Sequence, residues 1–265
     1  MSRRWQACIL CVASIALLIL ATRLILVSGA STRPATPASN KPVPTQPPNK
    51  FRNLVLQPEA AAVNRRLGNR FKSANARSVV VGQLAMGKDR LPLTIIRSQT
   101  ERGENVEVTL SNRRFGWSDA DGIKAIEGAA ATESEHLAVE RLVADSPDQF
   151  VLAQLRGASY QTIVRSLRPT DAGDDYTGPL WTMVRVDDPQ SLQDLKPKSP
   201  WRLYFINSNS GLIDRVESEI DGQRVEASIL QWTEQNGEKI PSHMRWTMNG
   251  QTLMEFQLTS FSQPQ

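Results

Sequence analysis

Residues 221–261 read DGQRVEASILQWTEQNGEKIPSHMRWTMNGQTLMEFQLTSF, and this stretch decides the fold. It contains three runs with strand character: Arg224–Trp232, Lys239–Met248 and Thr252–Phe261. Short polar turns separate the runs. Asn249-Gly250 is typical of a tight hairpin, because both central residues of such a turn adopt positive φ angles. The stretch therefore predicts three consecutive antiparallel strands.

Further runs of β-branched and apolar residues precede this stretch and predict more strands. They are Ser78–Met86, Pro92–Arg97, Asn105–Leu110, Arg113–Trp117, Ile123–Ala125, Tyr160–Leu167, Leu180–Val186, Trp201–Ile206 and Ile213–Ile220. Asp221-Gly222 marks another tight turn. Because most of these strands are joined by short connections, the pattern favours an antiparallel meander.

Helical sequence precedes the first strand and interrupts the strands midway. Pro58 and Glu59 are typical of a first helical turn. Glu133–Ala144 carries a broad apolar face, and Pro147 can open a second short helix that ends at Gly157. The helices do not alternate with the strands, which favours an α+β class over α/β.

The N-terminal segment, residues 1–30, indicates export. Arg3 and Arg4 precede an apolar run over residues 7–27, which is long enough to cross a bilayer. One interpretation is a single-pass inner-membrane anchor with Arg23 near the outer headgroups. The alternative is a signal peptide cleaved near Ala30. Either one places the remaining chain in the periplasm of a bacterial cell envelope.

A spacer and a single domain follow the export segment. Residues 31–50 are rich in Pro, Ser and Thr and carry almost no large apolar side chain. Such a composition cannot bury enough surface to order itself, so it predicts an extended spacer. Residues 51–265 are long enough for one α+β domain with its own core.

Cysteine and histidine usage narrows the possible chemistry. Cys8 and Cys11 are the only cysteines and lie in the export segment, which leaves the exported part without disulfides, thiol nucleophiles or cysteine-based metal sites. His136 and His243 are the only histidines. A Ser-His-Asp hydrolase is therefore disfavoured, and His243 is expected at the surface or on an edge strand.

The charge balance disfavours a nucleic-acid partner. Without Arg3, Arg4 and Arg23 of the export segment, 28 basic residues face 27 acidic residues, and both signs are mixed along the chain. A nucleic-acid-binding domain would carry a clustered basic surface. We expect an ordinary solvated surface.

Two acidic loops have structural interpretations that outweigh functional ones. Asp119 and Asp121 resemble the start of a calcium loop, but no further oxygen ligands follow, so a hairpin turn is favoured. Asp171, Asp174 and Asp175 are expected in a solvated loop. A hydrolase that uses these three carboxylates is the least favoured function.

The start of the long helix resembles a metal-ligand pattern only superficially. Glu133 and His136 have the i, i+3 spacing of some metal sites, but no second Glu-x-x-His occurs. With Glu135, they are expected to stabilise the helix start. The sequence thus predicts no catalytic residue, no metal site and no cofactor.

Five tryptophans are the candidate ligand-binding residues. All five fall in predicted strands: Trp117, Trp181, Trp201, Trp232 and Trp246. In a closed sandwich they would form core, whereas in a half-open sheet they would line a cavity for an acyl chain or another apolar ligand. Both interpretations stay open at this stage.

The order of elements resembles the periplasmic lipoprotein-carrier superfamily, the LolA/LolB-like fold. The segments that carry the resemblance are Gly82–Leu84, Pro92–Ile95, Glu104–Leu110, Phe115–Trp117, Phe205–Asn207, Leu212–Val216 and Gly237–Arg245. The resemblance implies a curved, incompletely closed antiparallel sheet, a half-barrel, with helices packed on its concave side. Function inferred in this way rests on analogy.

Three functions are compatible with these observations. The favoured one is a non-enzymatic envelope protein that binds a hydrophobic ligand or a lipidated polypeptide in the cavity of the curved sheet. The alternative is a membrane-tethered protein-interaction or sensor module that uses an exposed sheet edge. The hydrolase is the third.

Overall fold

The computed structural model describes residues 56–68, 77–100, 103–118, 122–128, 130–169, 175–187, 201–220 and 222–263. The proposed export segment, the spacer, both cysteines, and Asp119, Asp121, Asp171 and Asp174 lie outside these ranges. Among the described residues, no helix is both long and apolar enough to cross a membrane.

Three α-helices and one 3-10 turn are described. Helix α1 is Pro58–Arg66, α2 is Glu133–Ala144, α3 is Asp148–Leu152, and the 3-10 turn is Ala153–Arg156. Gly157 ends the turn with a φ of 86°, a left-handed conformation that glycine adopts without steric cost. The predicted helices and the stop at Gly157 are confirmed.

Twelve strands form one antiparallel sheet in the described part of the chain. They are β1 (Arg77–Met86), β2 (Asp89–Thr100), β3 (Gly103–Leu110), β4 (Arg113–Ser118), β5 (Gly122–Glu127), β6 (Ser159–Leu167), β7 (Trp181–Asp187), β8 (Trp201–Asn207), β9 (Ile213–Ile220), β10 (Gln223–Gln235), β11 (Glu238–Met248) and β12 (Gln251–Ser262). The predicted strands are all present.

The order of strands shows that the sheet is open. It runs β5-β4-β3-β2-β1-β12-β11-β10-β9-β8-β7-β6. The strands thus start at the centre with β1 and proceed to the β5 edge. The chain then crosses through α2 and α3 to the β6 edge and returns to the centre at β12. The predicted α+β half-barrel is confirmed.

Hairpin turns hold the meander in register. Asn236, Gly237, Asn249 and Gly250 have φ angles of 55°, 80°, 52° and 76°. Paired positive φ angles match the right-handed twist of the flanking strands. The Asn249-Gly250 hairpin is therefore confirmed.

The core lies between the helices and one face of the sheet, which we call the inner face. Val139 and Val143 of α2 and Phe150 of α3 are fully buried, and they belong to one cluster with inner-face residues such as Leu93 and Val108. Burying each such side chain is worth about 1.5–3 kcal/mol. This burial holds the helices on the sheet.

A capping box begins α2. The Thr132 side chain accepts a hydrogen bond from the backbone N–H of Glu135, whose carboxylate accepts one from the backbone N–H of Thr132. Glu135 also pairs with Arg113 of β4, and the His136 ring packs edge-on to Phe115. Of the three residues expected to stabilise the helix start, Glu135 therefore has the capping role, whereas His136 packs on the sheet.

Candidate functional site

Two cavities lie along the inner face, each between the sheet and a different helix. The smaller cavity encloses about 60 Å³ between β1, β2, β11 and β12 and the end of α2. The larger one is a groove of about 590 Å³ between α1 and strands β6, β7 and β8. We call it the α1 groove. Its volume is in the range of ligand pockets, which is about 300–1,000 Å³.

Helix α1 forms one wall of the α1 groove. Pro58 occupies its first turn, where the missing N–H has no intrahelical partner to lose. Ala60 is fully buried against the core, whereas Ala62, Arg65 and Arg66 are exposed and line the groove. The amphipathic helix thus presents its apolar side to the core and its basic side to the groove.

Strands β6, β7 and β8 form the floor. Thr182 of β7 pairs with Ile206 of β8, and both line the groove. Thr162 and Arg165 of β6 also line it. The floor therefore combines an apolar side chain, two hydroxyl groups and one guanidinium.

A pair of β-bulges brings Arg165 to the groove. Side chains three positions apart in a regular strand point to opposite faces. The pairing of β6 with β7 shifts between Thr162 and Val164, and again between Val164 and Leu167. The first shift places Arg165 on the same face as Thr162. Ser166, beside it, has a φ of 59°.

A glycine in the β8–β9 turn accommodates Arg66. A Cβ atom at Gly211 would lie 2.9 Å from Nε and 3.0 Å from Cγ of Arg66. The backbone N–H of Gly211 donates to the Asn207 carbonyl at 2.8 Å, and Asn207 Oδ1 accepts the N–H groups of Asn209 and Ser210. The Arg66 side chain therefore lies close to this hydrogen-bonded turn.

The lining of the α1 groove is net positive. Arg65, Arg66 and Arg165 contribute three guanidinium groups, and Glu59 contributes one carboxylate, which accepts a hydrogen bond from Thr162 Oγ1 at 3.4 Å. An anion in the groove would therefore meet a favourable electrostatic environment.

A buried polar cluster borders the smaller cavity. Arg97 lines it and donates to Glu104 Oε1 at 2.8 Å, and Gln149 of α3 donates to Glu104 Oε2 at 2.9 Å. Burial alone lowers the pKa of Arg97, but the charges of Glu104 and Asp148 and the hydrogen bond to Glu104 outweigh it and raise that pKa. The cluster ties α3 to β2 and β3.

The candidate tryptophans are dispersed over the sheet. Trp246 is fully buried in the core, while Trp117 and Trp232 are partly buried against it. Trp181 donates from Nε1 to Asp214 Oδ2 at 2.8 Å. Arg185 lies 5.8 Å from the ring centroid of Trp201.

Neither described cavity has a tryptophan in its lining. Trp246 is a core residue, which is one of the two interpretations that the sequence left open. Ligand contact by the other four tryptophans, Trp117, Trp181, Trp201 and Trp232, stays a prediction. Sequence reasoning did not select Arg65, Arg66 or Arg165. Arg65 and Arg66 have the pattern of ordinary basic residues at the end of a helix. Arg165 reaches the groove only because of the bulges in β6.

The remaining candidates carry no site in the described structure. Asp175 is exposed. His243 lies on β11, an interior strand of the sheet and not an edge, where it pairs with Glu255. Within the described ranges, no group of three or more His, Cys, Asp or Glu side chains is arranged to hold a metal ion.

Solved structures offer likenesses to this fold. A DUF1329 family protein from Desulfovibrio piger has 9% sequence identity and a TM-score of 0.47, covering 77% of this chain and 91% of its own. A putative outer membrane lipoprotein-sorting protein domain from Vibrio parahaemolyticus has 7% identity and a TM-score of 0.48, with the same coverage of 77% and 91%.

A LolA superfamily protein from Nitrosomonas europaea has 8% identity and a TM-score of 0.42, covering 80% of this chain and 95% of its own. No protein-family model and no curated protein matches the sequence. Two of these three structures carry lipoprotein-sorting or LolA-superfamily descriptions, which is the family that the sequence resembles.

Proposed function

We propose that this protein is a non-enzymatic envelope protein that binds a lipid or a lipidated polypeptide in the α1 groove. The observation that carries the proposal is the groove itself. It encloses about 590 Å³, and Pro58, Ala62, Val63 and Ile206 give it an apolar lining beside a basic rim. Apolar walls with a few placed polar groups are what a ligand with acyl chains requires.

The N-terminal sequence supports a location in the bacterial envelope. The apolar run over residues 7–27 follows two arginines, which favours export of the domain. In this proposal the run either anchors the protein in the inner membrane or is cleaved near Ala30. The intact mass of the protein from its native membrane distinguishes the two, because cleavage removes about 30 residues.

A substitution that fills the groove tests the lipid-binding role. Ala62 is exposed and lines the groove, so Ala62→Trp should occupy its volume without disturbing the core. We expect the full chain, extracted gently, to carry co-purifying lipid detectable by mass spectrometry, and Ala62→Trp to lose most of it. Ala130→Trp, at an exposed site outside the groove, is the matched control. Absence of lipid from the unmodified protein would contradict the proposal.

A protein-interaction module remains the second candidate, because the two sheet edges carry exposed isoleucines. Ile126 on β5 is 56% exposed and Ile163 on β6 is 43% exposed. An unpaired edge with apolar side chains can accept a strand from a partner. If this is the function, crosslinking in the intact envelope should capture a protein, and Ile126→Lys should abolish that capture when the partner binds at β5.

A further inference from the structure

We infer that the α1 groove selects a ligand whose headgroup is an anionic phosphate, and that Arg66 and Arg165 bind this headgroup with Arg65 beside them. The inference rests on the proposed lipid-binding function and names the class of lipid. It concerns phospholipids that carry a net negative charge, as distinct from zwitterionic or uncharged lipids.

The three groove arginines differ from most other arginines of the described structure in their ionic contacts. Many others pair with carboxylates within 4 Å: Arg97, Arg113, Arg114, Arg141, Arg185, Arg202, Arg215, Arg224 and Arg245. Arg65, Arg66 and Arg165 have no ion pair with any residue in the described part of the chain. Their guanidinium groups are available to an external anion.

Helix stabilisation explains only part of this arrangement. Basic residues in the last turn of a helix interact favourably with its dipole, which is a sufficient reason for Arg65 and Arg66 in α1. It is no reason for Arg165, which comes from β6 in the floor of the groove. Two separate elements therefore direct positive charge to one volume.

The local backbone favours this position of Arg165. The bulges in β6 are irregularities in pairing with β7, and Ser166 takes a left-handed φ of 59° that non-glycine residues adopt at a cost. Bulges commonly re-aim a side chain next to a functional site. Here the re-aimed side chain is a guanidinium facing a groove.

The Arg66 side chain lies against the β8–β9 turn. Its side chain lies on Gly211, where a Cβ atom would approach Nε to 2.9 Å. The planar fork of its guanidinium matches two phosphate oxygens. The phosphate would contact Arg66 and Arg165, while the acyl chains lie on Ala62, Val63 and Ile206.

The test compares lipids that differ only in the headgroup. The full chain in a non-ionic detergent is titrated with phosphatidylglycerol, phosphatidylcholine and diacylglycerol of equal acyl length, and bound lipid is counted by native mass spectrometry. We expect phosphatidylglycerol to bind about tenfold more tightly than the other two, which is the effect of one charge-assisted contact.

Variants test whether the groove arginines, and not another exposed arginine, cause the preference. Arg66→Gln with Arg165→Gln should abolish the preference for phosphatidylglycerol and leave binding of diacylglycerol, which has no phosphate, unchanged. Arg66→Lys with Arg165→Lys keeps the charge but not the fork and should retain part of the preference. Arg90→Gln, at an exposed position on β2 outside the groove, should retain all of it.

The other possible results would contradict the anionic selectivity, the lipid assignment or the proposed function. Equal affinity for the three lipids, or a preference that survives in the double glutamine variant, rejects the anionic selectivity and leaves lipid binding standing. Failure of every lipid to bind rejects the proposed function itself. Inorganic phosphate could also compete with phosphatidylglycerol and bind as tightly. That result would show a phosphate site that makes no use of acyl chains, and it would reject the lipid assignment.

Discussion

Asp145 shows how a single residue joins the helices to the sheet. Its side chain is 1% exposed, and Oδ1 lies 3.6 Å from Nη1 of Arg141 and 3.3 Å from Nε of Arg202. Trp246 donates from Nε1 to Oδ2 at 3.3 Å. Asp145 therefore connects the end of α2 with β8 and β11, and it satisfies the indole N–H of a core tryptophan.

Removing the charge of Asp145 should be costly. Asp145→Asn keeps the size of the side chain but leaves partly buried Arg202 without its carboxylate and buried Arg141 with Glu140 alone. We expect the free energy of unfolding to fall by about 3 kcal/mol, as when one partner of a buried ion pair is lost. Urea denaturation measures it. Asp187→Asn, in the largely exposed pair with Arg185, should cost less than about 1 kcal/mol.

Glu135 should give the protein a pH-dependent stability at acidic pH. Burial alone raises its pKa, but hydrogen bonds from Thr132 and the ion pair with Arg113 outweigh it, so the pKa lies below the ordinary value of 4.5. A lowered pKa in the folded state contributes stability that is fully present above 4.5 and is lost as the pH falls through the folded-state value.

The variant Glu135→Gln tests this assignment. We expect it to be less stable than the unmodified protein at pH 7 and the difference to shrink as the pH falls below 4.5, because glutamine does not titrate. Urea denaturation at a series of pH values measures both curves. A difference that stays constant from pH 7 to pH 3 would contradict the assignment.

At the scale of elements, the pairing of β1 with β12 joins the two halves of the sheet. The register shifts between Val81 and Gly82, which lies opposite Leu258. A Cβ atom at Gly82 would approach the carbonyl oxygen of Gln257 to 2.4 Å and Cε2 of Phe256 to 2.5 Å. The strands can come together here only because residue 82 has no side chain.

Gly82→Ala should therefore loosen this pairing. We expect a loss of about 2 kcal/mol in the free energy of unfolding, as for overpacked sites, together with faster amide hydrogen exchange along β1 and β12. Gly87→Ala is the control, because a Cβ atom there meets nothing within 4 Å and only the φ of 61° is unfavourable. It should leave exchange along β12 unchanged. Similar exchange in both variants would contradict the steric explanation.

At the scale of the whole molecule, the last strand holds the sheet together. β12 pairs with β1 on one side and β11 on the other. Without it, the strands from β5 to β1 and those from β11 to β6 would share no ladder in the described structure. The helices alone would then connect the two halves.

Truncation tests this dependence. Removal of residues 251–265 should abolish cooperative unfolding, because both halves would expose new edges and the core would lose Met254 and Phe256, which are buried. Removal of residues 263–265 alone should leave the transition intact. Circular dichroism during urea denaturation measures both. A cooperative transition with an unchanged midpoint in the longer truncation would show that β12 is dispensable.

Local information accounts for the parts of the structure that the sequence predicts. Alternation of apolar residues, the Asn249-Gly250 turn and the stop at Gly157 each depend on a few neighbouring residues. The chain therefore specifies its own strands, helices and hairpins. The class of the fold follows from their order along the chain, because consecutive strands with short turns pair antiparallel.

Tertiary structure alone decides what depends on partners distant in the chain. The β1–β12 pairing, the bulges that bring Arg165 to the α1 groove, and the burial of Trp246 follow from register across strands and from packing under the helices. A shift of one residue in register moves a side chain to the other face of a sheet. For this reason the sequence determined the elements and their order, whereas the tertiary structure determined which side chains meet in the groove.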